Sequence, residues 1–260
     1  MKLERLTPRF LEKVWGAVPL EPWFTSTGQK IGEVWLEGKT PLPLLVKFLF
    51  TSENLSVQVH PADEYAAAHH QSPGKTEMWH ILAAEPGARI AAGFREPISA
   101  GDLRAASESG EIMDLLAWHE ASPGDTFFIP AGTVHAIGAG LVLCEIQQVS
   151  DVTYRLFDYH RGRELHLDRS LDVSHRGPYT ARTEPCGDVL VSCSHFTVKR
   201  YRVEDCLRLD PPPQILIAIE GQGECCGQPL RAGEAWYAPL GSPALDLRGH
   251  LTLLGASVTP

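Results

Sequence analysis

An all-β fold with one small helical insertion is what this 260-residue sequence predicts, and three features carry that expectation. Glycine and proline number 23 and 20, as befits many tight turns between short strands. Apolar and polar residues alternate at period two in several short runs, the pattern of half-buried strands. A corner motif from Gly124 to His135 ends one such strand and opens the next. In that motif Gly124-Asp125 is a turn signal and Thr126 to Ile129 a β-branched and aromatic run. Pro130 cannot donate to a β-ladder, and Gly132 tolerates positive φ, so the chain turns sharply before Val134-His135-Ala136-Ile137.

Composition narrows the function. Hydrophobic residues make up 43% and charged residues 21%, an ordinary globular mixture. The net charge of −9 argues against a phosphate-backbone partner, so no nucleic acid is expected. A small phosphorylated ligand needs only a few local cations and stays open. Met1-Lys2-Leu3-Glu4-Arg5 leads into no apolar core of a signal peptide, and no run reaches the ~18 apolar residues of a membrane span. The six cysteines contain no C-x-x-C pair, so reduced thiols in a cytoplasmic protein are expected.

Along the chain, residues 1–30 read as mixed, broken by Pro8, Pro19 and Pro22, with Trp15-Gly16 and Trp23 as anchors. Gly32 to Glu37 alternates as a strand. Leu44 to Phe50 is apolar apart from Lys47 and fits a strand buried on both faces, with Lys47 either snorkelling at an edge or meeting an anion. Leu55 to Pro61 is the next strand, with Ser56, Gln58 and His60 on one face and Leu55, Val57 and Val59 on the other. Pro61 opens a helical stretch to His70. On the strand Gly74 to Leu82, Lys75, Glu77 and Trp79 share a face. Residues 97–119 carry the helical insertion, capped by Ser99, with Ile112, Leu115 and Leu116 at helical spacing.

After His135, Leu141 to Ile146 is a strand that projects Glu145 and Gln147 to one side, and Ser150 to Arg155 runs extended. Residues 160–187 are polar and punctuated by Pro and Gly, which reads as a linker. Phe196 to Val203 alternates, Ile215 to Ile219 is apolar, and Gly221-Gln222-Gly223 reads as a turn. Leu230 to Pro239 then repeats the Gly-acid turn, aromatic strand and proline of the corner motif without a following histidine. Two units are expected: residues 1–175, and 176–260 as a second β-domain without metal ligands.

Two imidazoles, a carboxylate and an amide make a plausible ligand set for a first-row divalent ion: His60, His135, Glu77 and Gln58. A neutral N/O set without thiolate leaves such an ion Lewis acidic, which favours chemistry over a structural role. The corner, Gly, five residues, Pro, one residue, Gly, two residues, His, resembles the second motif of the cupin family. That resemblance implies a jelly-roll barrel and, for the C-terminal repeat, a degenerate cupin-like unit. Taken together, Leu55 to Pro61, Gly74 to Trp79, and Pro130 to Ala136 followed by Ser150-Asp151 and Arg155 resemble the short bacterial form of the type I mannose-6-phosphate isomerase family.

This resemblance implies one zinc ion per chain on Gln58, His60, Glu77 and His135, and interconversion of mannose 6-phosphate and fructose 6-phosphate through an enediol. It places the family's catalytic Arg on Arg155 and its Lys on Lys75. Lys75 could transfer the proton or grip the phosphate. Glu145 is a further candidate base or sugar-hydroxyl acceptor, and Ser56 a candidate phosphate contact. Longer family members carry a His before this Lys where the chain has Gly74, so no shuttle by that His carries over. Two other readings stay open: a metal-dependent cupin dioxygenase, whose H-x-H motif is here interrupted by Gln58, and a non-catalytic sugar-binding cupin. The expected partner is a phosphosugar, with no membrane partner, on a monomer or homodimer.

Overall fold

A computed structural model describes residues 3–259, built from three β-sheets. The first holds Thr7–Ala17, Ile31–Glu37, Leu45–Thr51, Leu141–Gln147, Glu77–Ala84 and Thr126–Ile129, in that spatial order. The second holds Tyr154–Phe157, Val57–Val59, His135–Ile137, Arg89–Phe94 and Leu116–Glu120. These two enclose an interior that packs Leu49, Trp79, Leu141 and Leu143 of one against Ile90, Ala92 and Ile137 of the other, the jelly-roll expected. The third, eight-stranded sheet is C-terminal and centres on the long strands Ile215–Cys225 and Leu245–Val258.

Side-chain alternation dictates the layering. In Leu45–Thr51, Val46, Phe48 and Phe50 point away from the barrel interior into a core shared with Phe196, Ile215, Ile217 and Leu254 of the C-terminal sheet. The strand is therefore buried on both faces, as its apolar run predicts. On the other side of the barrel, Val57, Val59 and Ala136 pack under the helices through Leu103, Ala106 and Ile112. Ser99 caps Ala100–Ser109 as expected, its Oγ accepting from Asp102 N at 3.1 Å.

Four expectations need correction. The helical insertion ends at Leu115, and Leu116–Glu120 is a strand, because its residues find the edge of Arg89–Phe94 to pair with. The N-terminal stretch read as mixed contains the strand Thr7–Ala17, where Pro8 is tolerated because the strand lies at the sheet edge. The linker 160–187 contains the helix Leu167–Val173, whose Leu171 and Val173 pack on the core beneath. Gly221-Gln222-Gly223 is no turn but the interior of Ile215–Cys225. There a Cβ on Gly221 or Gly223 would sit 2.1 Å from His250 O or 2.0 Å from Arg248 O, so glycine marks close backbone approach.

The C-terminal unit repeats the corner more fully than its sequence suggests. Gly124 and Gly233 both have φ +90°, and Gly132 and Gly241, each two residues after a proline, have φ +87° and +79°. Asp125 accepts from Ser122 N at 2.8 Å, and Glu234 from Arg231 N at 3.2 Å. Five residues past the proline, however, where the first unit has His135, the second has Ala244. The units also exchange chain: Glu4–Arg5 pairs with Trp236 and Tyr237, joining the C-terminal sheet. Among the described residues no helix is long and apolar enough to cross a membrane.

His80, on the outer face of Glu77–Ala84, is a buried imidazole with Nδ1 2.9 Å from Thr126 Oγ1. Burial above all, and the Arg200 guanidinium next, push its pKa down to about 4. The folded state thus favours the neutral ring. The stability this confers is complete above pH 6.5 and is lost as pH falls through about 4. The loss amounts to about 3 kcal/mol. His80→Gln should flatten the acid limb of a denaturant-monitored stability profile, whereas an unchanged limb would assign it to other groups.

Candidate metal centre

Register places the site residues. On the inner face of the first sheet, Trp35 lies opposite Lys47, Lys47 opposite Glu145, and Glu145 opposite Trp79. One step along, Gln147 lies opposite Glu77. This row continues the interior face of Leu141 and Leu143, with polar groups replacing leucines at one end of the barrel. On the second sheet, Gln58 is opposite His135 on one side and Arg155 on the other. The corner ties the two histidine segments together, since Gly132 N–H donates to His60 O at 2.8 Å.

Three ligand-type groups converge. His60 Nε2 lies 3.6 Å from Glu77 Oε2, and His135 Nε2 lies 3.4 Å from Glu77 Oε1. Their ligand atoms all fall within 4.8 Å of one another, and all three residues are buried. Backbone carbonyls orient both rings: His60 Nδ1 sits 3.0 Å from Val152 O, and His135 Nδ1 2.9 Å from Thr133 O. With Nδ1–H donating outward, each Nε2 lone pair faces the carboxylate, as in histidines that ligate metals. The Gln58 amide is 3.3 Å from His135 Nε2, and turning the amide over brings its oxygen there.

The donor set fits a divalent cation. His60 Nε2 and both Glu77 carboxylate oxygens are buried with no hydrogen-bond partner, a costly state that a bound cation relieves. Lys75 Nζ is 3.1 Å from Glu77 Oε2, but out of line for a hydrogen bond. Burial, with Lys75 next, drives the His60 pKa to about 3, and burial likewise lowers His135. Burial alone would raise the Glu77 pKa, yet Lys75 and the two imidazoles hold it well below the usual value. The site presents two neutral imidazoles and a carboxylate, the protonation states that metal binding requires.

Beside this cluster opens a cleft of about 280 Å³, whose walls include Ser56, Gln58, Lys75, Glu145 and Arg155. All the residues singled out from sequence are therefore brought to one place. Lys47 is no snorkelling edge residue: it is buried, 2.6 Å from Gln147 Oε1, 3.0 Å from Glu145 Oε1, and 4.6 Å from the Trp35 ring. Glu145 also accepts from Trp79 Nε1 at 3.1 Å, while its Oε1 has no hydrogen-bond partner. Burial raises its pKa, against the pull of Lys47. Burial would lower the Lys75 pKa, but Glu77 and Glu145 outweigh it and hold it above the usual lysine value.

Sequence reasoning missed Lys13, Glu33, Asp151 and Arg163 in the cleft wall. Glu33 alternates with Trp35 toward the interior, a signal present but unread, whereas Lys13 on an edge strand and Arg163 in the presumed linker gave none. Asp158, buried, accepts from Arg163 Nε at 2.7 Å and so aims that guanidinium. Gly74 has a structural reason: a Cβ there would lie 2.6 Å from Asp63 N, and the tight packing lets Lys75 N–H donate to Pro61 O at 3.0 Å.

A β-barrel that gathers two imidazoles, a carboxylate and an amide beside a cation-lined cleft, backed by a C-terminal β-sheet, defines a metal-binding β-protein. Mannose-6-phosphate isomerase ManA of Bacillus subtilis (strain 168) is 33% identical over 300 aligned positions, covering 94% of this chain and 95% of the relative. The chain belongs to the mannose-6-phosphate isomerase family. The crystal structure of the mannose 6-phosphate isomerase from Bacillus subtilis superposes with a TM-score of 0.84 at 26% identity, covering 98% of this chain and 99% of that one. A zinc-bound holo mannose 6-phosphate isomerase shares the fold, with a TM-score of 0.76 at 16% identity, covering 99% and 100% of the two chains. No family model matches the sequence.

Proposed function

We propose that the protein interconverts mannose 6-phosphate and fructose 6-phosphate, moving a proton between C1 and C2 through an enediol. The observation that carries this reading is the convergence of His60 Nε2, His135 Nε2 and a Glu77 carboxylate without hydrogen bonds, beside a cleft rich in cations. Gln58, His60, Glu77 and His135 would hold one zinc ion per chain. Bound there, such an ion supplies Lewis-acid polarisation of a carbonyl and stabilisation of adjacent negative charge. The free cysteines fit a reducing compartment, and we place the protein in the cytoplasm.

The chain's own groups divide the remaining work. Glu145 takes the proton from one carbon at Oε1 and returns it to the other. It is a buried carboxylate of raised pKa whose Oε1 makes no hydrogen bond but lies 3.0 Å from the Lys47 ammonium, and a general base works best when its pKa approaches the working pH. Lys75 stays an ammonium, so it serves as a donor to the sugar oxygen nearest Glu77 and not as the base. Arg155 and Arg163, farther along the cleft wall, grip the phosphate, and Ser56 adds a hydroxyl. Trp79, opposite Glu145 and edge-on to His135 at 5.3 Å, holds the base and one ligand in fixed relation.

A coupled assay on mannose 6-phosphate tests the reading directly. Turnover is expected that stops on chelation and returns with zinc. Turnover indifferent to exhaustive chelation, or absent from zinc-loaded protein, ends it. Arg155→Ala should keep its metal content while kcat/KM falls by about 10–100-fold, the cost of losing a charge-assisted contact to phosphate. A variant that instead unfolds would make Arg155 structural, through its contact to Glu164 O at 2.8 Å.

A further inference from the structure

Away from the metal centre, the two β-units part company at one end of their shared core, and the groups that face the gap are cationic. Phe196 and Val198 are buried in that core, and period two puts Arg200 and Arg202 on the same face of the strand. Across from them, Met78 is buried in the same core, and the next residue on its face is His80. His80, Arg200 and Arg202 line one cleft of about 470 Å³, whose walls also include Gly124, Glu220 and Thr252.

Of the nearby carboxylates, Asp125 is engaged outside the cleft and Glu220 lies within it. Asp125 pairs with Arg182 at 2.9 Å, and Glu220 accepts from Thr252 Oγ1 at 3.2 Å. The two guanidiniums outnumber Glu220, the one carboxylate of the cleft lining, so the cleft keeps a net positive charge that an anion can neutralise. The ring is equipped to help. Its Nδ1 lies 2.9 Å from the Thr126 hydroxyl, and in the tautomer that accepts there the ring carries an Nε2–H for an anion.

We infer that this cleft between the two β-units binds a small phosphate-type dianion, gripped by Arg200 and Arg202 and hydrogen-bonded by His80. Planar guanidinium forks suit phosphate oxygens. Because the walls come from different sheets, a bound anion bridges the units and stabilises their packing by mass action. The chemistry is that of inorganic phosphate or of the phosphate of an ester. The site lies on the opposite face of the strand from Glu77 and is separate from the substrate cleft.

The test needs a local readout, since the substrate cleft is itself proposed to hold phosphate. The His80 imidazole signal in an NMR spectrum, identified by its loss in His80→Gln, is followed while inorganic phosphate is added. A saturable shift is expected, with the His80 pKa moving upward as the anion offsets Arg200. Arg155→Ala should leave this response intact. Arg200→Gln/Arg202→Gln should weaken it about tenfold or more while kcat/KM on mannose 6-phosphate is unchanged. In phosphate-free buffer the double variant should match or exceed the parent Tm, because like charges are removed, and lose the rise in Tm that phosphate gives. A His80 response that survives the double variant, or vanishes with Arg155→Ala, overturns the inference. So does a double variant with a lower Tm in both buffers, which would make the arginines structural. Glycerol 3-phosphate run in parallel identifies the source: tighter binding than inorganic phosphate assigns an ester, equal or weaker binding the free ion.

Discussion

Replacing His135 with alanine is expected to remove bound metal and turnover together while leaving the barrel folded. His135 is the hub of the cluster. Its Nε2 stands 3.4 Å from Glu77 Oε1 and 3.3 Å from the Gln58 amide, and its ring centroid 4.8 Å from that of His60. Losing an outer partner of a metal ligand costs about 10–100-fold in affinity or activity, and losing the ligand itself costs more. Elemental analysis of purified protein, beside the coupled assay, reads both effects at once. Circular dichroism guards against the trivial outcome, since the vacated ring volume abuts Trp79 at 5.3 Å. Full activity in metal-free His135→Ala would refute the assignment of this cluster.

Glu145→Gln is expected to cut kcat by about 10²–10⁴-fold, the usual worth of a positioned general base, with metal content preserved. The substitution keeps shape and can still accept from Trp79 Nε1, a bond now 3.1 Å long. The hydrogen bond and ion pair of Glu145 go to Trp79 and Lys47, not to a proposed ligand, so metal should stay bound. Lys47 would lose its carboxylate partner at 3.0 Å but keep Gln147 Oε1 at 2.6 Å, so the fold should hold. Solvent-proton exchange at C2 of the sugar, measured separately, should fall in parallel. Near-normal kcat in Glu145→Gln would transfer the base to another group, with Lys75 first in line.

Much of this was written in local patterns. Pro-x-Gly corners and period-two alternation are backbone properties, set by a missing N–H, a missing Cβ and the pleat. Hence the strand Leu45–Thr51, the cap at Ser99 and the face shared by Gln58 and His60 are legible in the sequence itself. The errors fell where a local pattern was overruled by a neighbour. Leu116–Glu120 became a strand because Arg89–Phe94 offered an open edge, and Gly221 sits mid-strand because His250 O comes close.

The residue chemistry of the centre therefore resided in the chain itself: two histidines, a glutamate and a glutamine at spacings that a small barrel can gather. Only the packed fold decided which charges would meet. Lys47 faces Glu145 because two strands nearly a hundred positions apart lie in register, and Lys13 and Arg163 reach the same cleft from segments with no distinctive pattern. Long-range pairing carries no local signature, because a β-ladder bonds backbone to backbone whatever the side chains are. Burial then tunes the groups it traps, keeping His60 neutral and raising Glu145, and burial is a property of the assembled sheets.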